Sequence, residues 1–394
     1  MKTDNLIFYR IPYSSDFWHK FRTIGITEAE GKQFGCPAYE GGIGASEIST
    51  ILGVNKSYRP LVQEYYHHKI GTEQPKQEVN ADMLLGKVFE SIIKEFWCCY
   101  DGTDDGWVGT YAKYDNALAG ERKGIKIRDA RKVNAYIVNK KYPYLFVSLD
   151  YWAEKNTPGI DGTIYPDGFS TECKSIGHWY AQLWEANIPE YHLPQVNQQM
   201  LVTETDYAEI PILIGGKKFK VFPCHRDDEI CERIIKHGET FWKKIMAGRE
   251  YKKVMDNMMA EGDVEGYNEA RAYIDSGEPE VTDNEKYQEW INERFKAIVN
   301  SINGDIPLFN KAREYDNALN LIKFIESHQT LIKNQMLHIL DQKNAEEIDF
   351  KALGKITFNK NKNDIRSLRF KLNIKATDEQ LKTQFNKLDF TLKT

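Results

Sequence analysis

The chain holds no apolar run that could cross a membrane. No window of its 394 residues approaches the roughly 18 uninterrupted apolar positions a spanning helix needs, so a membrane partner is not expected. The first ten residues lack a basic stretch followed by an apolar one, so a secretory leader is not expected and a reducing cytoplasm is. Cysteine is sparse, with six residues and no Cys-x-x-Cys pair. That excludes a disulfide framework and the close spacing that holds an iron–sulfur cluster, and it leaves the cysteines as small core residues. A basic excess is missing too, since 53 Lys and Arg face 58 Asp and Glu for a net charge of −5. A generally basic coat for nucleic acid is thereby excluded.

What is present is a globular balance, 41% hydrophobic and 28% charged, in a chain long enough for one large domain or two ordinary ones. The charge is uneven. Residues 351–394 carry eleven Lys or Arg against four Asp or Glu, a local +7, and the preceding 350 residues carry −12. A basic tail on an acidic body is either a polyanion-binding element or a solvated surface segment. The clearest break is the turn-rich, acidic stretch Asp275-Ser-Gly-Glu-Pro-Glu-Val-Thr-Asp-Asn. It divides the chain into a body, 1–248, a helical connector and linker, 249–284, and a mostly helical module, 285–394, that ends in the basic tail.

In the body, residues 46–52 and 61–69 read as short helices. Residues 83–97 read as an amphipathic helix, with Leu85, Val88, Phe89, Ile92, Ile93 and Phe96 recurring at three and four. Residues 144–153 and 168–175 read as strands, 178–186 and 194–203 as helices, and 208–215 with 217–225 as a hairpin joined at Gly215-Gly216. A long helix over 227–246 closes the body. This order predicts a mixed α/β core around one sheet. In the module, Ala318, Ile322, Ile325, Gln329, Ile332, Met336 and Ile339 keep a heptad, which fits either a coiled-coil contact or one helix of a bundle. A short strand is expected at Gly354.

The informative stretch is 150–174. Asp150 ends an apolar strand-like run, and Thr171-Glu172-Cys173-Lys174 lies in the next strand. Period-two alternation puts Glu172 and Lys174 on one face and Cys173 on the other. If the strands are neighbours, two carboxylates and an ammonium converge. Two carboxylates suit a hard divalent ion such as Mg²⁺, which lowers the pKa of a bound water and stabilises charge on a phosphate. The lysine would orient that water or help deprotonate it, which is phosphodiester-hydrolysis chemistry. Glu90 and Glu95 flank the apolar stripe of the 83–97 helix, and periodicity does not choose between them. Gln195 opens the 194–203 helix, where it is either a surface residue or a group that aligns the water. Trp179, Tyr180 and Trp184 follow at helical spacing, as core residues or as an aromatic wall against a base. Asp101-Gly-Thr-Asp-Asp-Gly106 fails the calcium-loop pattern and reads as a solvated turn. His67-His68 lack a partner at ligand spacing and read as surface residues.

Several blocks, in order, resemble the YqaJ-like viral recombinases, the phage alkaline exonucleases related to lambda exonuclease within the PD-(D/E)XK nucleases. They are Trp18-His-Lys-Phe-Arg22, Gly42-Ile-Gly-Ala-Ser46-Glu, Ile51-Leu-Gly-Val-Asn-Lys-Ser-Tyr, Lys69-Ile-Gly71 and Gly86-Lys-Val-Phe-Glu90. They continue through Leu149-Asp150, Glu172-Cys-Lys174, Ile188-Pro-Glu-Tyr191, Gln195-Val-Asn-Gln, Ile212-Leu-Ile-Gly-Gly and Arg226-Asp227. The likeness covers about residues 13–246.

The resemblance implies a restriction-endonuclease-like core, a central mixed sheet flanked by helices. It implies that Asp150, Glu172, the main-chain carbonyl of Cys173 and Glu90 bind Mg²⁺ or Mn²⁺, that Lys174 activates the attacking water, and that Gln195 completes the catalytic set. It implies that Ser46, Arg22 and Tyr191 hold DNA, with Arg22 and Ser46 at the 5′-phosphate. The implied activity is a 5′ to 3′ exonuclease that resects double-stranded DNA ends for recombination by single-strand annealing. The implied partners are an annealing protein and further copies of the chain, up to a ring-shaped trimer, in the cytoplasm of a bacterial host. An end- or structure-specific endonuclease and a non-catalytic DNA-binding module are the alternatives. The chain departs from the family where Tyr151 replaces the usual Gly after Asp150, which leaves Asp161-Gly162 as a rival metal position. The gap from Arg22 to Ser46 is also long for the family.

Overall fold

The computed structural model describes residues 4–12, 16–55, 57, 60–75, 81–103, 105–118, 121–122, 125–281, 283–294, 306–342, 347–349, 354–360 and 366–372. The chain divides into two compact units, Met1–Lys296 and Ala297–Thr394.

The first unit opens with β1 (Leu6–Tyr9), α1 (Asp16–Arg22), α2 (Glu28–Gln33), β2 (Ile43–Gly44), α3 (Ala45–Ile51), α4 (Val62–Ile70), α5 (Ala81–Cys99) and α6 (Gly106–Asn116). Eight short strands follow: β3 (Ala130–Lys132), β4 (Tyr136–Asn139), β5 (Leu145–Ser148), β6 (Tyr151–Ala153), β7 (Thr157–Pro158), β8 (Ile164–Tyr165), β9 (Ser170–Thr171) and β10 (Lys174–Ile176). A 3₁₀ segment, His178–Trp184, leads to α7 (Leu193–Thr203), the hairpin β11 (Tyr207–Ile214) and β12 (Lys218–His225), then α8 (Asp228–Glu261), α9 (Val264–Ser276) and α10 (Tyr287–Arg294).

The strands form two main sheets. One runs β1-β4-β5-β2 and the other β10-β11-β9-β6-β3, with β12 on the far side of β11. Both are mixed: β2 lies parallel to β5, and β9 and β10 lie parallel to β11. The mixed α/β class read from the sequence is therefore the fold found, with two sheets where one was expected. The run 144–153 switches from the first sheet to the second at Leu149-Asp150, between β5 and β6. All eight β11 residues are buried, because the strand is covered on both faces. The β11–β12 loop, Gly215-Gly216-Lys217, places Gly215 at φ +57° and Gly216 at φ +71°, the left-handed pair that closes the turn with the Lys217 N–H on the Ile214 carbonyl at 3.2 Å. Gly168 is needed for a different reason. Its φ is +75°, and a Cβ there would lie 2.1 Å from the Ala153 carbonyl oxygen, so only glycine lets β9 come against β6.

α8 runs well past residue 246. Its continuation and α9 bring Met255, Ala270 and Ile274 into the main core beside Tyr66 and Ile70, so residues 249–276 pack as part of the first unit. The segment reads as polar because its apolar residues are few. α5 also differs from its single expected stripe. Ile93 and Trp97 are buried and Phe89 and Phe96 pack against the same cluster, while Met83, Leu84, Leu85, Val88 and Ile92 are exposed. The helix covers the sheet with one face, towards β10 and β11, and its apolar residues are spread wider than that face.

The second unit contains α11 (Ile306–Gln342) and an antiparallel sheet of β13 (Glu347–Asp349), β14 (Gly354–Lys360) and β15 (Arg366–Leu372). Only the Gly354 strand was expected. The basic residues Arg366, Arg369 and Lys371 lie in β15, paired with β14. Lys355 and Lys360 lie in β14, and the rest of the basic tail, 351–353, 361–365 and 373–394, lies outside the described residues. On α11, Ile322, Ile325 and Ile332 are exposed, so the described residues do not bury the heptad stripe as a bundle would.

Candidate active site

The β5–β6 break and the β9–β10 junction come together. Asp150 sits where the chain leaves one sheet for the other, and its Oδ2 accepts a hydrogen bond from the Cys173 N–H at 2.9 Å. Glu172 and Cys173 lie between β9 and β10, both of which pair with β11, and the Glu172 N–H donates to the Glu209 carbonyl at 2.9 Å. Alternation holds through the junction. Cys173 turns into the core with Tyr151 and Leu213, and Lys174 Nζ donates to Glu172 Oε1 at 2.7 Å on the other side.

α7 lies over that side. Gln195 Nε2 donates to Glu172 Oε1 at 2.6 Å, and Gln195 Oε1 accepts from Lys174 Nζ at 3.1 Å. One turn later, Gln199 Nε2 donates to Glu172 Oε2 at 2.6 Å. Both Glu172 oxygens are thus fixed. Gln199 was not singled out in the sequence. The signal available was its i+4 spacing from Gln195, which puts both amides on one helix face. Gln198 points elsewhere, to the carbonyls of Ile43 and Phe146, and ties α7 to β2 and β5.

The electrostatics are those of a site short of positive charge. Burial, then the charges of Glu172 and Glu90, push the Asp150 carboxyl well above its usual range. Burial would lower the Lys174 ammonium, but Glu172 outweighs it and holds Lys174 above its usual range. Glu90 is the acid of α5 that faces this cluster, and Lys132 Nζ reaches its Oε2 at 3.0 Å. Glu95 is instead engaged by Lys94 and by Lys126, the latter at 2.9 Å. The choice that periodicity left open is thereby made. Asp161 is taken up in its own turn, accepting from Thr163 N at 2.9 Å and Tyr165 Oη at 2.8 Å.

Asp150, Glu172 and Glu90 are oxygen donors, and burial, then the neighbouring negative charge, disfavours the ionised form of Asp150. A hard divalent cation fits that donor set, since it would offset the buried negative charge.

A second cluster lies at the start of α3. Arg22 Nη2 donates to Ser46 Oγ at 3.1 Å and meets Glu47 Oε1 at 3.4 Å. Lys69 Nζ pairs with Glu47 Oε2 at 2.7 Å, and the same oxygen accepts from the Gly44 N–H at 2.9 Å. Burial would raise Glu47, but Lys69 and Arg22 outweigh it and hold the carboxyl low. Lys69 is held low by burial. The long Arg22–Ser46 spacing therefore does not separate the two residues. Ser46 is exposed and the Arg22 side chain is 36% exposed, so both are open to a ligand. Tyr191 is half-buried, and its carbonyl accepts from Ser49 Oγ at 2.6 Å. Glu47 and Lys69 carry the cluster's buried charge, and neither was singled out for a role.

Two other expectations change. His67 is fully buried, not a surface residue, with Nδ1 against Thr72 Oγ1 and Nε2 against Glu278. Its partner lies 211 residues away, so no sequence spacing could reveal it. Ligand-type atoms of His67, Asp275 and Glu278 lie within 4.8 Å of one another. Arg271 Nε binds both Asp275 oxygens at 3.0 and 3.1 Å, and Tyr66 Oη donates to the Ile274 carbonyl at 2.9 Å. The group works as a clamp between α4 and the end of α9. In the 3₁₀ segment only Trp184 is core, while Trp179 is 92% exposed. Five cysteines are buried and Cys36 is half-buried. No helix among the described residues is long and apolar enough to cross a membrane.

Residues 18–206 match the family model of the YqaJ-like viral recombinase domain, so the resemblance read from the sequence blocks holds over that span. The uncharacterized protein YqaJ of Bacillus subtilis (strain 168) is 27% identical over 214 residues, 53% of this chain and 54% of that protein. The chain thus spans about half the length of the curated relative it matches. Among solved structures, an alkaline exonuclease (LHK-Exo) from Laribacter hongkongensis is 13% identical at a TM-score of 0.37, over 55% of this chain and 94% of that one. LHK-Exo in complex with dAMP is 15% identical at a TM-score of 0.39, with the same coverage.

Proposed function

We propose, on the premise that residues 18–206 are a YqaJ-like viral recombinase domain, that this protein is a metal-dependent deoxyribonuclease that resects one strand of double-stranded DNA ends during recombination. The observation that carries the reading is the convergence of Asp150, Glu172 and Lys174, locked by Gln195 and Gln199. Asp150, Glu172, the Cys173 carbonyl and Glu90 would hold Mg²⁺ or Mn²⁺. Such an ion lowers the pKa of a coordinated water and offsets charge that develops on a phosphate. Lys174 is an ammonium in this arrangement, so it donates toward the attacking water or a phosphate oxygen. Gln195 fixes Lys174 and Glu172 relative to each other. Arg22 and Ser46 offer a guanidinium fork and a hydroxyl to a terminal 5′-phosphate, which favours 5′ to 3′ polarity. Tyr191 is assigned to the DNA-facing surface beside them. The product strand would pass to an annealing protein, and a homo-oligomer, in the extreme a ring-shaped trimer, would enclose the duplex.

The test is digestion of a 5′-phosphorylated linear duplex labelled separately at each end, with Mg²⁺ or EDTA, beside a covalently closed circle. Stepwise 5′ loss that needs metal, Asp150 and Glu172, and leaves the circle intact, supports the exonuclease. A cut circle replaces it with an endonuclease. No cleavage by folded protein with either metal leaves a DNA-binding module.

A further inference from the structure

The 3₁₀ segment His178–Trp184 begins two residues after β10, the strand that carries Lys174. It holds the most exposed large apolar side chain among the described residues. Trp179 is 92% exposed, Leu183 is 53% and Tyr180 is 50%. A Trp standing in water is an expense that packing does not explain, since Trp184 and the partly buried Ala181 anchor the segment to the core without it.

The neighbouring surface is basic. The Gly215 N–H donates to the Ile176 carbonyl at 2.8 Å, and a Cβ on Gly215 would touch the His178 Cβ at 3.4 Å. The hairpin turn Gly215-Gly216-Lys217-Lys218 therefore lies against the start of the aromatic segment. Lys217 and Lys218 are both exposed, and among the described residues no carboxylate pairs with either. In a body that carries net negative charge, a polyanion is held only where positive charge is concentrated. Aromatic faces beside unpaired lysines are the chemistry of single-strand binding, because every base has a face to stack and every phosphate a charge to neutralise. Five residues separate Trp179 from Lys174, so their Cα atoms lie within about 18 Å. That is the reach of a few nucleotides.

We propose that Trp179 and Tyr180, with Lys217 and Lys218, form a ledge that stacks the bases of one unpaired nucleic-acid strand beside the candidate active site. The inference rests on the nuclease reading for its direction, but its test does not. A short labelled single strand is titrated with the full-length protein in EDTA, and anisotropy is read over a range of salt. Trp179→Ala is expected to weaken binding about five- to a hundredfold at every salt concentration. Trp179→Phe is expected to keep most of the affinity. An abasic strand should bind the wild type as weakly as the intact strand binds the Ala variant. The Lys217→Ala/Lys218→Ala variant should reduce the slope of log affinity against log salt by about 1.4.

Unchanged affinity in Trp179→Ala, or equal affinity for intact and abasic strands, overturns the ledge. So does a Trp179→Ala variant that binds normally but loses an oligomer in sedimentation, which assigns the patch to a second copy of the chain. The side chain is solvent-exposed, so misfolding does not confound these variants. If the wild type cuts DNA and Trp179→Ala binds normally, the ledge fails and the nuclease stands. If nothing is cut yet binding depends on Trp179, the nuclease reading fails and the ledge stands.

Discussion

Replacing Gln199 by Met removes one hydrogen-bond donor from Glu172 at nearly constant volume. Gln199 is 1% exposed and Glu172 5%, so no water can substitute directly. A hydrogen bond to a charged group contributes about 1.5–3 kcal/mol. Glu172 Oε1 keeps Lys174 and Gln195, so the carboxylate is not orphaned, and the about 3–5 kcal/mol of a broken buried pair does not apply. A further term runs the other way. The Gln199 Oε1 is buried with no partner among the described residues, and losing an unsatisfied acceptor returns about 1–3 kcal/mol. The two terms nearly cancel, so folding stability should move by no more than about 1 kcal/mol. The position of Glu172 has no such compensation. Cleavage should fall about 10- to 100-fold, the equivalent of about 1.5–3 kcal/mol. Urea unfolding and cleavage rates over a Mg²⁺ titration measure the two effects side by side. Wild-type cleavage with unaltered metal dependence in Gln199→Met would refute the role given to Gln199. A large loss of stability would refute the cancellation.

Asp150→Asn should leave metal-free stability nearly unchanged, because the amide oxygen can still accept from the Cys173 N–H and a neutral amide avoids the buried charge that burial and Glu172 disfavour. Mg²⁺ at a hundred times its Kd should stabilise the wild type by about 2.7 kcal/mol and the variant hardly at all, and an equal rise in thermal midpoint for both would remove Asp150 from the ligand set. Ser46→Ala should reduce the preference for 5′-phosphorylated over 5′-hydroxyl ends, read from competing substrates, with cleavage of the hydroxyl end little changed. Burial holds His68 down at about 4, and burial together with Lys174 holds His192 at about 3, against an ordinary 6.5. Both stay neutral in the native state while the unfolded chain takes up protons below 6.5. Stability should therefore fall with pH from 6.5 down to about 4 for His68 and about 3 for His192, by at most about 1.4 kcal/mol per unit for each. Urea midpoints across that window should flatten in His68→Gln and again in His192→Gln, and an unchanged slope in either variant would count against that histidine.

The sequence by itself determined the local order of the molecule and the chemistry of its candidate centre. Apolar period and turn residues are near-neighbour signals, and they carried α3, α4, α7 and the β11–β12 hairpin with its glycine pair. The Glu-x-Lys alternation is equally local, so Glu172 and Lys174 were legible as one face of a strand. Asp150 was legible as the end of an apolar run, with Asp161-Gly162 left as its rival. Tertiary structure decided everything that depends on contacts between distant residues. It split the 144–153 strand between two sheets and so set Asp150 beside Cys173. It turned Glu90 to the cluster and Glu95 to Lys126, a choice that the helix period cannot make because both flank the same stripe. It closed the 24-residue gap between Arg22 and Ser46 and buried Glu47 and Lys69 beneath them. It also buried His67 and left Trp179 in water, although both lie in segments whose composition reads the opposite way. Burial is a property of what packs against a residue, and no window of sequence contains that partner.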